Sequence, residues 1–254
     1  MLGHLIIFQK ISIMWSHLFK YLDINRPTPT WTTSDDSVKR YVTEAGNELA
    51  IKLFMAANDN GNACDGWKPL KNIVEDVQIF KKDNTLRGTR TLNVPLSAFK
   101  EQVNTVNTAK LWDGKLVEGS QLQDFGEKVD VVFLAFSQFA EEAILRSREF
   151  VVLEMRQAIK DQIYVVGCSS LPKWLSRAVL AENKKRLRGK IELGWVFQML
   201  EDNKSCKVTC FLQLNPGGWM PKCCVKKQQS KLLTVMMNQM FTLAVDKWLE
   251  NHRQ

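Results

Sequence analysis

Between Lys115 and Leu214 the chain runs through six β-branched or aromatic stretches: "KLVEGSQLQ", "VDVVFLAFSQ", "REFVVLEMR", "QIYVVGCSS", "IELGWVFQML" and "SCKVTCFLQL". Polar, turn-forming residues part each from the next. So many strands in succession call for one large sheet, with sequence neighbours mostly pairing antiparallel. "NPGGWMP", Asn215 to Pro221, then breaks the last strand, and apolar residues return at helical steps as Leu233, Met236, Met237, Met240, Phe241, Ala244 and Trp248. A helix from Lys222 to roughly Glu250 rises 1.5 Å per residue and spans about 40 Å, enough to cross a whole sheet. Glycine admits dihedrals that other residues avoid and proline fixes one, so Pro216, Gly217, Gly218, Trp219 and Pro221 are expected to form a hinge that sets the helix's angle of return.

The N-terminal part supplies the remaining elements. Val38, Val42, Ala45, Leu49 and Leu53 form one helical stripe, with Ser34 or Asp35 as N-cap, and "NDNGNACDG" ends it. "DVQIFKKDNTLRGTRTLNV" alternates and turns at Asp83-Asn84, which predicts a hairpin. "PLSAFKEQVNTV" predicts a second helix, with Pro95 and Ser97 at its start and Phe99, Val103 and Val106 on one side. The order is helix, hairpin, helix, string of strands and closing helix, an α+β plan with one curved sheet. Residues 1–33 read as a separate extension ahead of a domain over 34–254. "HLIIFQKISIMWSHLFKYL" is interrupted by Lys10 and Ser12 too early to span a bilayer. Ile7, Ile11, Met14, Trp15 and Leu18 fit an amphipathic helix, which leaves open membrane-surface binding, organelle targeting or docking on its own domain. Pro27 and Pro29 in "NRPTPT" mark a linker.

Charge and rare residues narrow the function. The net charge of +8 suits an anionic membrane surface as partner. Nucleic acid is not expected, because the densest basic run, Lys184 to Arg188, is short and lacks any recognition motif. Six cysteines in 254 residues are too few for a disulfide scaffold, and no secretory leader is evident, so reduced thiols in the cytoplasm are expected. Cys206 and Cys210 share one strand face while Cys223 and Cys224 are adjacent, and neither pair has zinc spacing. The three histidines, His4, His17 and His252, lie near the termini and offer no central base to a nucleophile. "GNACDG" and "PGG" are not phosphate loops. The expectation is a protein that is not an enzyme and holds no cofactor or metal.

Several blocks then stand in a telling order: "LWDGKL", "RSREFVVLEM", "GWVFQML", "KVTCFLQLNPGGWMP" and the terminal helix. From about Ser34 onward the chain resembles the START family, the StAR-related lipid transfer domains, and "GWKPLKNIVEDVQIFKK" is similar to that family's first strand. The resemblance implies a helix-grip fold, a curved antiparallel sheet wrapped around the C-terminal helix, enclosing a hydrophobic tunnel. Such a domain carries one lipid between membranes as a monomer, touching them peripherally and performing no reaction. It implies a tunnel lined by Val152, Glu154, Arg156, Gln123, Val208, Cys210 and Leu212, with Leu233, Met236, Met237, Met240 and Phe241 on the helix.

Departures from the family's polar patterns bear on the ligand. Sterol-binding members carry a basic residue four positions after the Phe of Arg-Asp-Phe-Val, where this chain has Glu154, with Arg156 on the same strand face. The matching acid on the preceding strand falls near Ala135 in an ungapped comparison. Phosphatidylcholine carriers place an Arg where Ala109 stands here, beside Lys110, and ceramide carriers place an acid near Gln123. A sterol, or another rigid lipid such as a carotenoid, is favoured because the phosphocholine-type Arg is missing. A phospholipid or ceramide carrier, or a lipid-sensing interaction module, remains the alternative. Trp112 and Asp113 are read as structural. Periodicity makes Val151, Leu153 and Met155 the apolar face of their strand and would turn Glu154 and Arg156 to solvent, whereas the resemblance turns Glu154 inward. Both orientations stay open.

Overall fold

Helix α1 (Asp36–Asn58) forms where the first apolar stripe predicts it, and it buries Val38, Val42, Leu49 and Leu53 of that stripe together with Ala50 and Ala57. A computed structural model describes residues 36–58, 66–70, 77–100, 103–110, 116–126, 129–136, 147–159, 161–181 and 185–251. The N-terminal extension, Ser34 and Asp35, the three histidines, Trp112 and Asp113 lie outside the described residues.

After α1 come β1 (Lys68–Pro69), β2 (Gln78–Lys82) and β3 (Thr85–Leu92), with β2 and β3 joined by the expected turn, where Asp83 has φ 51. The helix expected from Pro95 is two short pieces, α2 (Ser97–Lys100) and α3 (Thr105–Lys110). Val103, Asn104 and Thr105 are weak helix formers, and the carbonyl of Asn104 accepts the Thr108 N–H at 2.9 Å to start a new turn. The run of strands follows as β4 (Leu116–Asp124), β5 (Val129–Phe136), β6 (Arg148–Ile159) and β7 (Ile163–Ser170). Helix α4 (Lys173–Val179) and β8 (Leu187–Arg188) intervene before β9 (Lys190–Met199), β10 (Cys206–Asn215) and the long α5 (Lys222–Asn251).

All strands join one sheet in the order β1-β2-β3-β10-β9-β7-β6-β5-β4, with antiparallel neighbours, and β8 pairs parallel with β6 off this path. The central strands of the curved sheet are buried on both faces, while the edge strands β1 and β4 have no buried residue. Leu233, Met236, Met237 and Met240 of α5 pack on the inner face. On the outer face α1 and α4 cover Val131, Val151, Leu153, Met155 and Val165. A strand covered on both sides has no solvent face, so the alternation expected along "REFVVLEMR" fails and β6 is buried from Arg148 through Met155.

Two close approaches fix how the layers sit. Gly167 and Gly194 are cross-strand partners under α1, and a Cβ at Gly194 would lie 2.2 Å from Leu53 Cδ2. Only glycine leaves room for the helix at that depth. Between β10 and α5, Gly217 (φ 71) and Gly218 (φ 67) take left-handed conformations, and a Cβ on Gly217 would lie 2.7 Å from the Arg188 carbonyl oxygen. The Pro216–Pro221 segment is thus a built turn seated against β8. Beyond it Gln229 Nε2 donates to the carbonyls of Asn84 at 2.8 Å and Leu212 at 2.6 Å, pinning α5 to the hairpin turn and to β10.

Candidate functional site

The inner face of the sheet is shared by two helices. α5 packs on β3, β10 and α2, and α3 packs on β4, β5 and β7. β7 and β9 cross between them and present an aromatic group: Phe197 stacks on Phe99 at 4.6 Å and on Trp195 at 6.1 Å, with Tyr164 at 6.4 Å. Trp195 is almost fully buried, and among the described residues its Nε1 has no hydrogen-bond partner. A buried donor left over in an apolar interior is a place where a bound molecule's oxygen can sit.

Beside this group lies a charged cluster. Glu154, 3% exposed, faces inward with Val152 and Phe150, so the inward orientation is the one adopted. Its Oε2 accepts the backbone N–H of Thr105 at the start of α3, and its Oε1 lies 3.2 Å from Arg156 Nε. Arg156 Nη2 reaches Asp130 Oδ2 at 2.5 Å, and Gln121 Nε2 donates to Asp130 Oδ1 at 2.7 Å. Asp130 stands directly across from Glu154 in the β5–β6 register. The cluster therefore holds two carboxylates and one guanidinium, with one negative charge in excess if both acids ionise. Burial pushes both carboxyls above their ordinary values, and the guanidinium of Arg156 offsets only part of that. Cys168 faces Glu154 from β7, and burial pushes its thiol up to about 12, while Cys210 is also raised. Both stay neutral and line the interior as small apolar groups.

The predicted lining is largely brought together. Val152, Val208, Cys210 and Leu212 are buried on the inner face, opposed by Leu233, Met236, Met237 and Met240, while the side chain of Phe241 lies outside the described residues. Gln123 does not join the polar cluster. A bulge between Gln121 and Gln123 shifts the register, so Gln121 reaches Asp130 while Gln123 is half-buried beside the Asp124 carbonyl. Ala135, where the ungapped comparison sought an acid, packs on the outer face, and the acid that β5 brings to Arg156 is Asp130, five residues earlier. Sequence reasoning also missed Thr105, Tyr164 and Trp195. Asp130 did leave a trace, as the one charge in "VDVVFLAF". Among the described residues no group of three or more His, Cys, Asp or Glu is placed to hold a metal, and no helix is long and apolar enough to cross a membrane.

The sequence model of the START domain family matches residues 57–247, most of the chain. No curated protein matches. Among solved structures, the human StAR-related lipid transfer protein 5 is similar with a TM-score of 0.68 at 15% identity, over 82% of this chain and 98% of that one. Human STARD10 has a TM-score of 0.61 at 18% identity, over 78% and 82% of the two chains. A StAR-related lipid transfer protein from Xanthomonas axonopodis has a TM-score of 0.54 at 17% identity, over 69% and 98%. These likenesses concern the fold.

Proposed function

This chain belongs to the START domain family, and from that premise we propose that it binds one lipid molecule between its sheet and α5 and carries it between membranes unchanged. The observation that carries the reading is the Asp130–Arg156–Glu154 cluster, set into an inner face that is otherwise apolar. An apolar interior stabilises a lipid by about 0.8 kcal/mol for each methylene withdrawn from water. The buried end of that lipid must then find polar partners, because each unmet group costs about 1–3 kcal/mol. A cluster with acceptor capacity to spare suits a donor, such as the hydroxyl of a sterol or of a hydroxylated carotenoid. A phosphate would meet two carboxylates at the same place, which disfavours a phospholipid. On this reading the carrier is cytoplasmic, touches membranes peripherally and acts as a monomer; the free cysteines accord with the first of these.

Native mass spectrometry of freshly purified protein, followed by denaturing extraction, tests this reading. The expected result is one hydroxyl-bearing lipid per chain. A protein that is empty and takes up neither labelled sterol nor labelled phospholipid overturns it. Glu154, standing where sterol-binding relatives carry a base, favours a second reading, a lipid sensor that does not transfer. Lipid bound one to one, with vesicle-to-vesicle transfer at the uncatalysed rate, would select that reading.

A further inference from the structure

Trp195 is the one aromatic residue in a row that crosses the inner face from strand to strand. Arg156, Val166, Trp195, Cys210 and Gly88 are successive cross-strand partners on β6, β7, β9, β10 and β3. Val166, Trp195 and Cys210 are buried in the inner layer, where a Cβ on Gly88 would meet Met237 and Leu233 of α5. The indole is 1% exposed, and among the described residues its Nε1 has no hydrogen-bond partner. Its ring stacks on Phe197 with 14° between the planes, and Phe197 stacks in turn on Phe99 of α2. Turning the N–H toward a backbone carbonyl would break that stack. Trp67 has a like unmet N–H, but on the outer face, with the Arg87 guanidinium 4.6 Å from its ring. Of the two, only Trp195 stands on the side read as the lipid's. Arg156 and the charged cluster occupy the other end of the row, two strand spacings or about 10 Å away, with Val166 between. The carboxylates there accept hydrogen bonds and the indole donates one, so the two points call for opposite groups.

We propose that Trp195 is a second recognition point of the lipid site, donating its indole N–H to an acceptor oxygen that the ligand carries about 10 Å from the hydroxyl held by the charged cluster. A rigid steroid frame with an oxygen at each end has about that length. A sterol whose far end is a plain hydrocarbon chain leaves the N–H unmet, and a buried donor left unmet weakens the complex. The oxygens of a carotenoid lie on neighbouring carbons of one end ring or at opposite ends of a much longer chain, and neither spacing matches. The ligand class is therefore a steroid or oxidised sterol with a ring hydroxyl and a distant ketone or hydroxyl. The inference rests on the lipid-carrier reading and narrows its ligand.

The test is titration of the full chain with dehydroepiandrosterone and with its 17-deoxo analogue, two steroids that share frame and ring hydroxyl and differ only in the far ketone. The parent should bind the ketone about tenfold more tightly, the effect of one buried hydrogen bond. Trp195→Phe keeps a ring against Phe197 and removes the N–H, so it should bind the two steroids alike. Glu154→Gln acts at the other end and should weaken both equally, leaving the preference in place. The indole N–H resonance that disappears in Trp195→Phe should move downfield when the parent takes up the ketone and stay where it is with the deoxo analogue. A Trp195 that only packs, or whose N–H is met by water in both complexes, would give no such difference. Absence of preference in the parent, a preference that persists in Trp195→Phe, or an indole resonance blind to the ketone each overturns the proposal. The first of these is read on the parent itself and stands even if Trp195→Phe fails to fold. Equal binding of both steroids sinks the second recognition point and leaves the carrier reading intact. If neither binds, the steroid assignment is overturned, and lipid extracted from the same preparation separates the two readings. A lipid-filled protein then loses this inference alone, and an empty one loses the carrier reading as well.

Discussion

Glu154 concentrates the chemistry of the interior. Its carboxylate takes the N–H that opens α3 and touches Arg156, so one side chain joins the sheet to the helix that closes the polar end of the inner face. Glu154→Gln keeps an acceptor for Thr105 and removes the excess charge. If the excess charge holds a donor on the ligand, sterol affinity should fall about tenfold, the worth of one charged hydrogen bond, while the circular dichroism spectrum stays unchanged. Titration with a fluorescent sterol checks it. Asp130 and Glu154 also make stability depend on pH. Both carboxyls are raised by burial from ordinary values of 3.8 and 4.5, so the folded chain binds their protons more tightly than the unfolded chain does. Their contribution is fully present below those ordinary values and is lost as pH rises through the higher folded ones. The melting temperature of Asp130→Asn/Glu154→Gln should therefore gain on that of the parent between mildly acidic and neutral pH, measured by calorimetry across that range. The sequence disclosed Glu154 and Arg156 as a pair on one strand face. It could not disclose Asp130 as their partner, because no local pattern fixes the β5–β6 register that sets it across from Glu154.

At the scale of elements, the long ones were legible and the short ones were not. α5 was readable because its methionine and leucine stripe repeats over many turns, and the six long strands because β-branched runs recur between turns. α4 spans seven residues and β8 two, too few for a period to declare itself. The orientation of β6 was not decidable from its own residues, since the burial of Glu154 depends on α3 and that of Val151 on α1 and α4. How closely α1 lies on the sheet depends on glycines that carry no periodic signal. At Gly194 a methyl group would collide with Leu53, so Gly194→Ala should cost about 1–3 kcal/mol, the usual penalty of overpacking, read from urea unfolding. Gln229 holds the other helix. Gln229→Leu leaves the carbonyls of Asn84 and Leu212 without their shared donor, and about 1–3 kcal/mol should be lost, with hydrogen exchange rising first in the early turns of α5.

For the molecule as a whole, the question is how a ligand reaches an interior that is closed on both sides of the sheet. The outer layer, α1 seated on Gly167 and Gly194, is packed too tightly for a lipid to pass. The inner layer offers a seam between α5 and β3, where a Cβ on Gly88 would lie 3.2 Å from Met237 Cγ and 3.4 Å from Leu233 Cδ2. Methionines along that seam can change rotamer at small cost, which branched residues cannot. If lipid exchange requires α5 to part from β3, a bridge across the seam should stop it. Gly88→Cys/Met237→Cys places two thiols within reach of a disulfide, in a background where Cys210, directly across from Gly88, is alanine and Cys223 and Cys224 are serine. The oxidised protein should retain whatever lipid it carries and cease to exchange it with vesicles, and reduction should restore exchange. The parents that carry only one of the two introduced cysteines should exchange in both redox states. Exchange that survives oxidation would move the portal away from α5, toward α3 and the edge strand β4, where the charged cluster is covered by the six residues of α3.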